Sequence, residues 1–460
     1  MPERAAIQNA EAIRRVLTAG PATAVALSNR LGVSQPTVSR AVAALGDDAV
    51  RIGAARSIQY ALYDRVRGLT DMPVYRVDTQ GQVRPLGLLR PVRPEGFVFK
   101  EVVPADAARA RPATHSEGLP WWLQDMRPQG FLGRAYAARH AAALGLPAAL
   151  NEWGDTQMLQ ALLRHGHDAV GNLLLGEAAR DAFVHTPPPA AVPTAERAAT
   201  YVRLSDEASR GELPGSSAGG EQPKFMAYAE GEDGAPRHVL VKFSVPGDHA
   251  VARRWRDLLL AEHHALQTLV AAGVAAASSV VIDHDAQRFL EVERFDRVGA
   301  LGRRALFSLA ALEAEFIGDA GAPWPVLTRR LADAGYVTRA AADTAGLLYA
   351  FGTLTGNTDM HHGNLSFLSD AGPPCDLAPA YDMLPMALAP RSGGALPTTL
   401  PPPLLRASVP NATWRKALAL ALDWRARLAA DARFTAEWGP CQHALAQHLA
   451  LAAEQVQRLG

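Results

Sequence analysis

Residues 355–367 read TGNTDMHHGNLSF. One Asp, two His and two Asn fall within eight residues, ahead of the apolar Leu365 and Phe367. A packed core has no use for so many adjacent polar groups, because each buried polar atom needs a partner. A phosphotransfer site does. There an Asp orients the attacking hydroxyl and accepts its proton, an Asn binds Mg2+, and a second Asp downstream holds the metal against the phosphates. Asp359 and Asn364 stand five residues apart, the Asp-to-Asn spacing of the loop H-R-D-x-x-x-x-N. Asp382 follows eighteen residues after Asn364, in CDLAPAYDMLP (375–385).

Upstream lie the other parts such a site requires. In RHVLVKFS (237–244), Val239, Val241 and Phe243 face one side of a strand, while Leu240 and Lys242 face the other. A Lys within an apolar strand needs a partner, and an ATP phosphate is one; an edge Lys is the plainer alternative. WRDLLLAEHHALQTLVAAGV (255–274) reads as a helix from which Glu262 could reach Lys242, or simply face solvent. RFLEVERFDR (288–297) reads as a strand running into a connector, whose backbone at Glu293 to Phe295 could meet an adenine edge; an ordinary edge strand with a salt-bridged Arg294 is the alternative. ELPGSSAGGEQPKFMAY (212–228) is a Gly/Ser loop before a strand; taken alone it reads better as a flexible loop than as a phosphate cradle. The order Gly loop, strand Lys, helix Glu, connector, Asp…Asn, Asp is that of protein kinases, and the conjunction is far more specific than any piece. A competing reading is a phosphohydrolase-type metal site built on His361, His362 and the Asp residues, although the spacing fits no zinc signature.

The first sixty-seven residues have a different character. In AEAIRRVLTAGPATAVALSNRLGVSQPTVSRAVAAL (10–45), Ile13, Val16 and Leu17 recur at helical spacing, Gly20 and Pro21 break the chain, and Gly32 turns it again. Ser34 can cap the next helix with Pro36 in its first turn; Val38, Val42 and Leu45 form its apolar face, and Gln35, Thr37, Ser39 and Arg40 the opposite one. This is the helix-turn-helix pattern. VRIGAARSIQYAL (50–62) adds two short strands with Arg51 and Arg56 flanking the turn, a wing. Nine Arg against five acidic residues leave +4 on residues 1–67 of a protein whose net charge is zero, which suits phosphate contacts to DNA. A plain helical bundle or a protein-binding winged helix is the alternative.

Between these regions, MPVYRVDTQGQVRPLGLLRP (72–91) and GFVFKEV (96–102) alternate as short strands do. The adjacent Trp121 and Trp122 read as packing residues and not as a ligand platform. His165 and His167 lack a visible third metal ligand, and within HTPPPAAVPTAERAATY (185–201) residues 185–197 read as a linker. Over the 460 residues, 48% are hydrophobic and 20% charged, and no apolar run is long enough for a membrane span. The charged N-terminus lacks an apolar signal core, and two distant cysteines make neither a disulfide framework nor a zinc site, so a cytoplasmic protein is expected.

The motif series SSAGGEQPKF, VLVKFS, VERFDR, TDMHHGNLSF and LAPAYDMLP resembles that of HipA-family serine/threonine kinases, the toxin components of bacterial toxin–antitoxin pairs. With its N-terminal helix-turn-helix the chain is similar to the YjjJ branch, in which a DNA-binding region is fused to the kinase. The resemblance implies an α+β protein: a winged helix-turn-helix (1–67), an α/β nucleotide-binding N-lobe (68–298) and a mainly helical catalytic C-lobe (299–460). It implies Mg-ATP as cofactor, Asp359 as base, Asn364 and Asp382 as metal ligands, and Lys242 on the phosphates. By the same resemblance Ala218, Gly219, Gly220, Glu221 and Gln222 cover the nucleotide, Glu293 and Phe295 meet the adenine, His361 contacts nucleotide, and Ser216 or Ser217 is an autophosphorylation site. GGEQPK is one residue longer than the usual run, and Gly363 stands where HipA has a Lys. Implied partners are DNA, a protein substrate (aminoacyl-tRNA synthetases are known in the family), an antitoxin and a second copy of the chain. The rival expectation is a DNA-binding transcriptional regulator whose kinase-like part only senses nucleotide.

Overall fold

The structure is a computed structural model that describes residues 2–54, 57–102, 112–210, 222–370 and 372–459, with side chains from residue 7 onward. Helices Pro2–Leu17, Ala24–Leu31 and Gln35–Ala44 pack through Ile13, Leu17, Leu27, Val38 and Val42. The Thr23 hydroxyl accepts from Ala26 N–H to start the second helix, and Gly32, at φ 66°, ends it in the left-handed region that glycine enters without a Cβ clash. Ser34 occupies the N-cap position of the third helix, but its hydroxyl bonds the Thr37 hydroxyl at 2.9 Å instead of a backbone N–H. Gln35, Ser39 and Arg40 are exposed on that helix, Thr37 half-buried. Strands Ala49–Ile52 and Gln59–Leu62 form a hairpin on which Arg51 is exposed; Arg56 lies outside the described residues.

This N-terminal segment is not carried on a free tether. Val50, Ile52 and Ala61 share a core with Val92 and Val98 of the next sheet. Asp64 is fully buried there, 2.5 Å from Arg67 Nε and 3.7 Å from Arg93 Nη1. The next sheet is antiparallel and five-stranded, in the order Thr114–Ser116, Phe97–Glu101, Val83–Pro91, Met72–Val77, Leu173–Leu175. Trp121 packs on Phe307 and Phe316, and Trp122 meets Phe99 edge-on, so both serve packing. The Pro-rich stretch read as a linker is stitched to a sheet edge: Val192 N–H donates to Tyr228 O and Glu230 N–H to Val192 O.

A four-stranded antiparallel sheet follows, ordered Ser279–His284, Gln287–Glu293, Pro236–Phe243, Lys224–Glu230. Strand alternation sorts its side chains. Val239, Val241, Phe243, Phe225 and Phe289 pack on one face with Tyr201 of helix Arg197–Arg210. Leu290 and Val292 pack on the other with Leu259 of helix Ala250–Ala271. From Leu309 on, helices dominate around one core holding Trp324, Trp414, Trp424 and Trp438. Among the described residues no helix is long and apolar enough to cross a membrane, and both cysteines are buried and unbridged.

Candidate functional site

Helix Arg339–Thr355 stops at Gly356 (φ 78°), where a Cβ would run into Leu400 Cδ2. The chain then enters the polar run. Asn357, 4% exposed, accepts from Asp359 N–H through Oδ1 at 3.0 Å and donates through Nδ2 to Asp382 O at 3.1 Å. One buried amide therefore fixes the backbone of two acids twenty-three residues apart. Asn364 Nδ2 donates to Asp359 O at 2.9 Å, which leaves its carbonyl oxygen outside that bond. Tyr381 donates its hydroxyl to Gly363 O at 2.8 Å and ties the two loops together again. Asp382 itself has φ 53°, an unusual conformation for a residue with a Cβ and one that clusters at functional sites.

The strand and the helix supply the opposite wall. Lys242 Nζ is buried 2.6 and 2.8 Å from the two Glu262 oxygens and bonds Asp382 Oδ1 as well. Burial alone would lower the Lys242 pKa, but Asp382 and Glu262 outweigh it and the net shift is upward, so the ammonium stays charged. For Asp382, burial works upward, yet Lys242 and Lys224 hold the carboxyl below its ordinary range. Glu262 goes the other way, pushed up by burial against the pull of Lys242. The cluster therefore sets one cation against a carboxyl held below its ordinary range and another held above it.

Gln222, Lys242, Asp359, His361, Asn364 and Asp382 all line one cleft of about 460 Å³, although they come from segments up to 160 residues apart in sequence. Gln222 is 9% exposed, and its Nε2 has no hydrogen-bond partner among the described residues, so a donor waits there for an acceptor. Two lysines, an amide donor and two oxygen-bearing metal-type ligands fit the phosphates and hard cation of Mg-ATP. The residues that the sequence reading proposed at the adenine do not join them. Lys242 pairs with Leu290 across the sheet, so Leu290 and Val292 share its face and Glu293 points away. Glu293 instead meets Arg237 at 3.3 Å, on a separate groove. Phe295 rests on the Tyr381 ring at 5.6 Å and does not line the cleft. Ser216, Ser217, Ala218, Gly219, Gly220 and Glu221 lie outside the described residues.

Three features escaped the sequence reading. Lys224 stands directly opposite Lys242 and lines the cleft; its position two residues after Gln222 was the available signal. Gln129 to Phe131, where helix Gly130–Leu144 begins, line it too, and nothing local in the sequence marks them. Asn357 was visible only as one more polar residue. The metal site imagined on the histidines is disfavoured by geometry: His362 Nε2 meets Ala322 O at 3.0 Å, and His361 Nδ1 accepts from Gly363 N–H. No group of three or more His, Cys, Asp or Glu among the described residues could hold a metal.

Comparison with known proteins agrees with this architecture. Residues 69–184 match the YjjJ-like toxin middle domain and residues 216–456 the HipA-like C-terminal domain. Toxin YjjJ of Escherichia coli (strain K12) is 39% identical over 447 residues, covering 97% of this chain and 98% of the relative. A chain from the Shewanella oneidensis MR-1 toxin–antitoxin complex of HipA, HipB and operator DNA superposes with a TM-score of 0.53 at 16% identity, over 84% of this chain and 97% of that one. At that identity the likeness speaks for the fold alone. The sequence relationship speaks for more: this chain belongs to the HipA-like toxin family, in its YjjJ-like branch.

Proposed function

We propose that the chain is an ATP- and Mg2+-dependent protein serine/threonine kinase whose N-terminal winged helix-turn-helix contacts DNA. The observation that carries this reading is the shared cleft of Lys242, Asp359, Asn364 and Asp382. Mg-ATP, when bound, supplies the phosphoryl group and the metal charge that offsets its transfer. Lys242, held by Glu262, presents its ammonium to the phosphates. Asn364 and Asp382 offer oxygens to the cation, and Asp359 orients the acceptor hydroxyl and takes its proton. Exposed Asp359 sits where a protein substrate can approach. Gln35, Ser39 and Arg40, with Arg51 on the hairpin, would face DNA. The test is phosphate incorporation from labelled Mg-ATP by the purified chain; equal incorporation by wild type and Asp359→Ala removes the kinase reading.

A second reading, a nucleotide-sensing DNA-binding regulator, is favoured by the core shared between the N-terminal hairpin and the middle sheet, which joins the DNA-facing segment firmly to the rest. No phosphotransfer, together with nucleotide binding and salt-dependent DNA binding, would select it. In either case Arg40→Ala should lower DNA affinity and reduce the salt slope by about 1. An unchanged slope would remove the recognition-helix assignment.

A further inference from the structure

A second ion cluster, buried except for the half-exposed Asp168, lies where residues 167–171 meet residues 294–303, and the phosphotransfer reading makes no use of it. Arg294 Nη2 and Arg297 Nη1 reach Asp296 Oδ2 at 2.9 and 2.6 Å. Arg297 Nη2 reaches Asp168 Oδ1 at 2.9 Å, and Arg303 stands 4.0 Å from that oxygen. Three guanidinium groups face two carboxylates, so one positive charge is left over. Backbone carbonyls take some of the donors: Arg297 bonds Asp168 O, Ala169 O and Gly171 O, and Arg303 bonds His167 O. Carbonyls satisfy hydrogen bonds but carry no formal charge, so the surplus remains.

The surplus concentrates at Arg303. It is 4% exposed, its Cζ lies 4.6 Å from the Phe183 ring centroid, and its Nη1 has neither a hydrogen-bond partner among the described residues nor contact with solvent. His167 Nδ1 is in the same condition. Burial, with Arg297 adding repulsion, brings the Arg303 pKa down to about 9, which still leaves it charged at neutral pH. Arg297, Arg303, His167 and His238 line a cavity of about 180 Å³ on this cluster.

We propose that this cavity is an oxyanion site for a phosphate-sized group, with Arg303 and Arg297 as its charged ligands. A tetrahedral oxyanion matches the planar fork of the guanidinium groups that line the cavity and cancels the surplus charge. Its walls come from both sides of the seam, so occupancy joins the middle sheet to the strands that follow the nucleotide-side sheet.

The test uses the full chain, with thermal unfolding followed as chloride is replaced by inorganic phosphate at constant ionic strength. Saturating phosphate is expected to raise Tm by several degrees in wild type. The increment should survive in Lys224→Met, which alters the cleft, and vanish in Arg303→Met. Should Arg303→Met fail to fold, Thr186→Trp at the exposed rim blocks the cavity without touching the arginines and should remove the same increment. A parallel titration with O-phospho-L-serine separates the sources: an equal increment means that the site accepts the group on a side chain, and none means that it takes the free anion. An increment absent from wild type, equal in wild type and Arg303→Met, or lost only in Lys224→Met overturns the proposal.

Discussion

Two ion clusters of this molecule are unbalanced in opposite directions in their direct ion pairs. In the cleft, Lys242 is shared by Glu262 and Asp382, one cation between two acids. At the seam, Arg294, Arg297 and Arg303 share Asp168 and Asp296. Desolvating a formal charge is expensive, and a cluster that served packing alone would be expected to close with equal numbers. Each of these instead keeps its surplus beside a cavity, and the sign of the surplus matches the sign of the group that would enter: a hard cation on Asp382 and Asn364, an oxyanion on Arg303. A residual charge next to a cavity is thus a more informative cue than the ion pairs themselves.

The largest effect that tests the contrast is on stability. Lys242→Met leaves the buried Glu262 and the partly buried Asp382 without their cation and should cost about 3–5 kcal/mol in urea unfolding. Arg303→Met removes the surplus charge and should cost less than half as much. Equal losses would mean that the seam cluster is already balanced and that the contrast is false. Next comes rate. Asp359→Asn should slow phosphotransfer at least ~10²-fold while leaving the unfolding midpoint in place, since this side chain is exposed. A rate unchanged within error would leave the cleft without a base. Third, Asn357→Ala removes the hydrogen bonds that hold Asp359 N–H and Asp382 O, at about 1–3 kcal/mol. It should also raise the Mg2+ concentration needed for nucleotide binding, measured by calorimetry. A loss of stability with no change in metal requirement would reduce Asn357 to a packing role.

The smallest effect is on acid sensitivity. Burial pushes the Asp168 and Asp296 carboxyls up, but the neighbouring arginines outweigh it, and both end below the ordinary carboxylate range. A depressed folded pKa gives stability that is present above the unfolded value and lost as pH falls below it. In the cleft, Asp382 behaves the same way, but Glu262 is raised, and its contribution instead declines as pH rises through the carboxylate range. The two cleft acids therefore partly cancel. Asp296→Asn should flatten the loss of Tm between about pH 5 and pH 3 more than Asp382→Asn does, each group supplying at most ~1.4 kcal/mol per pH unit. The reverse ranking would contradict the charge assignment of both clusters.

Much of the cleft was legible in the sequence because its signals are local. The five-residue step from Asp359 to Asn364 places both on one loop. Strand alternation puts Lys242 on the face opposite Val241 and Phe243, and the structure has it there. The same alternation turns the Glu293 side chain away from Lys242, but the expected adenine contact is with the backbone at 293–295, which side-chain parity does not address. The Pro-rich stretch 185–197 reads as a linker because prolines break regular structure, but its backbone still found a sheet edge at Val192. The seam cluster left one local mark, the salt-bridged Arg294 of the alternative reading of VERFDR, but its other half was out of reach, since Asp168 lies 129 residues from Arg297.

The sequence by itself determined which groups share a loop, a strand face or a helix turn, because periods of two and 3.6 residues and short spacings fix those relations before the chain folds. Only the tertiary structure decided which charges are buried together and whether they balance. Lys242 and Asp382 are 140 residues apart, and their pairing depends on a sheet and a helix core closing on the same cleft. Burial and the local dielectric are properties of that closure, and they set whether a Lys, an Arg or a carboxyl is satisfied or left to bind something else.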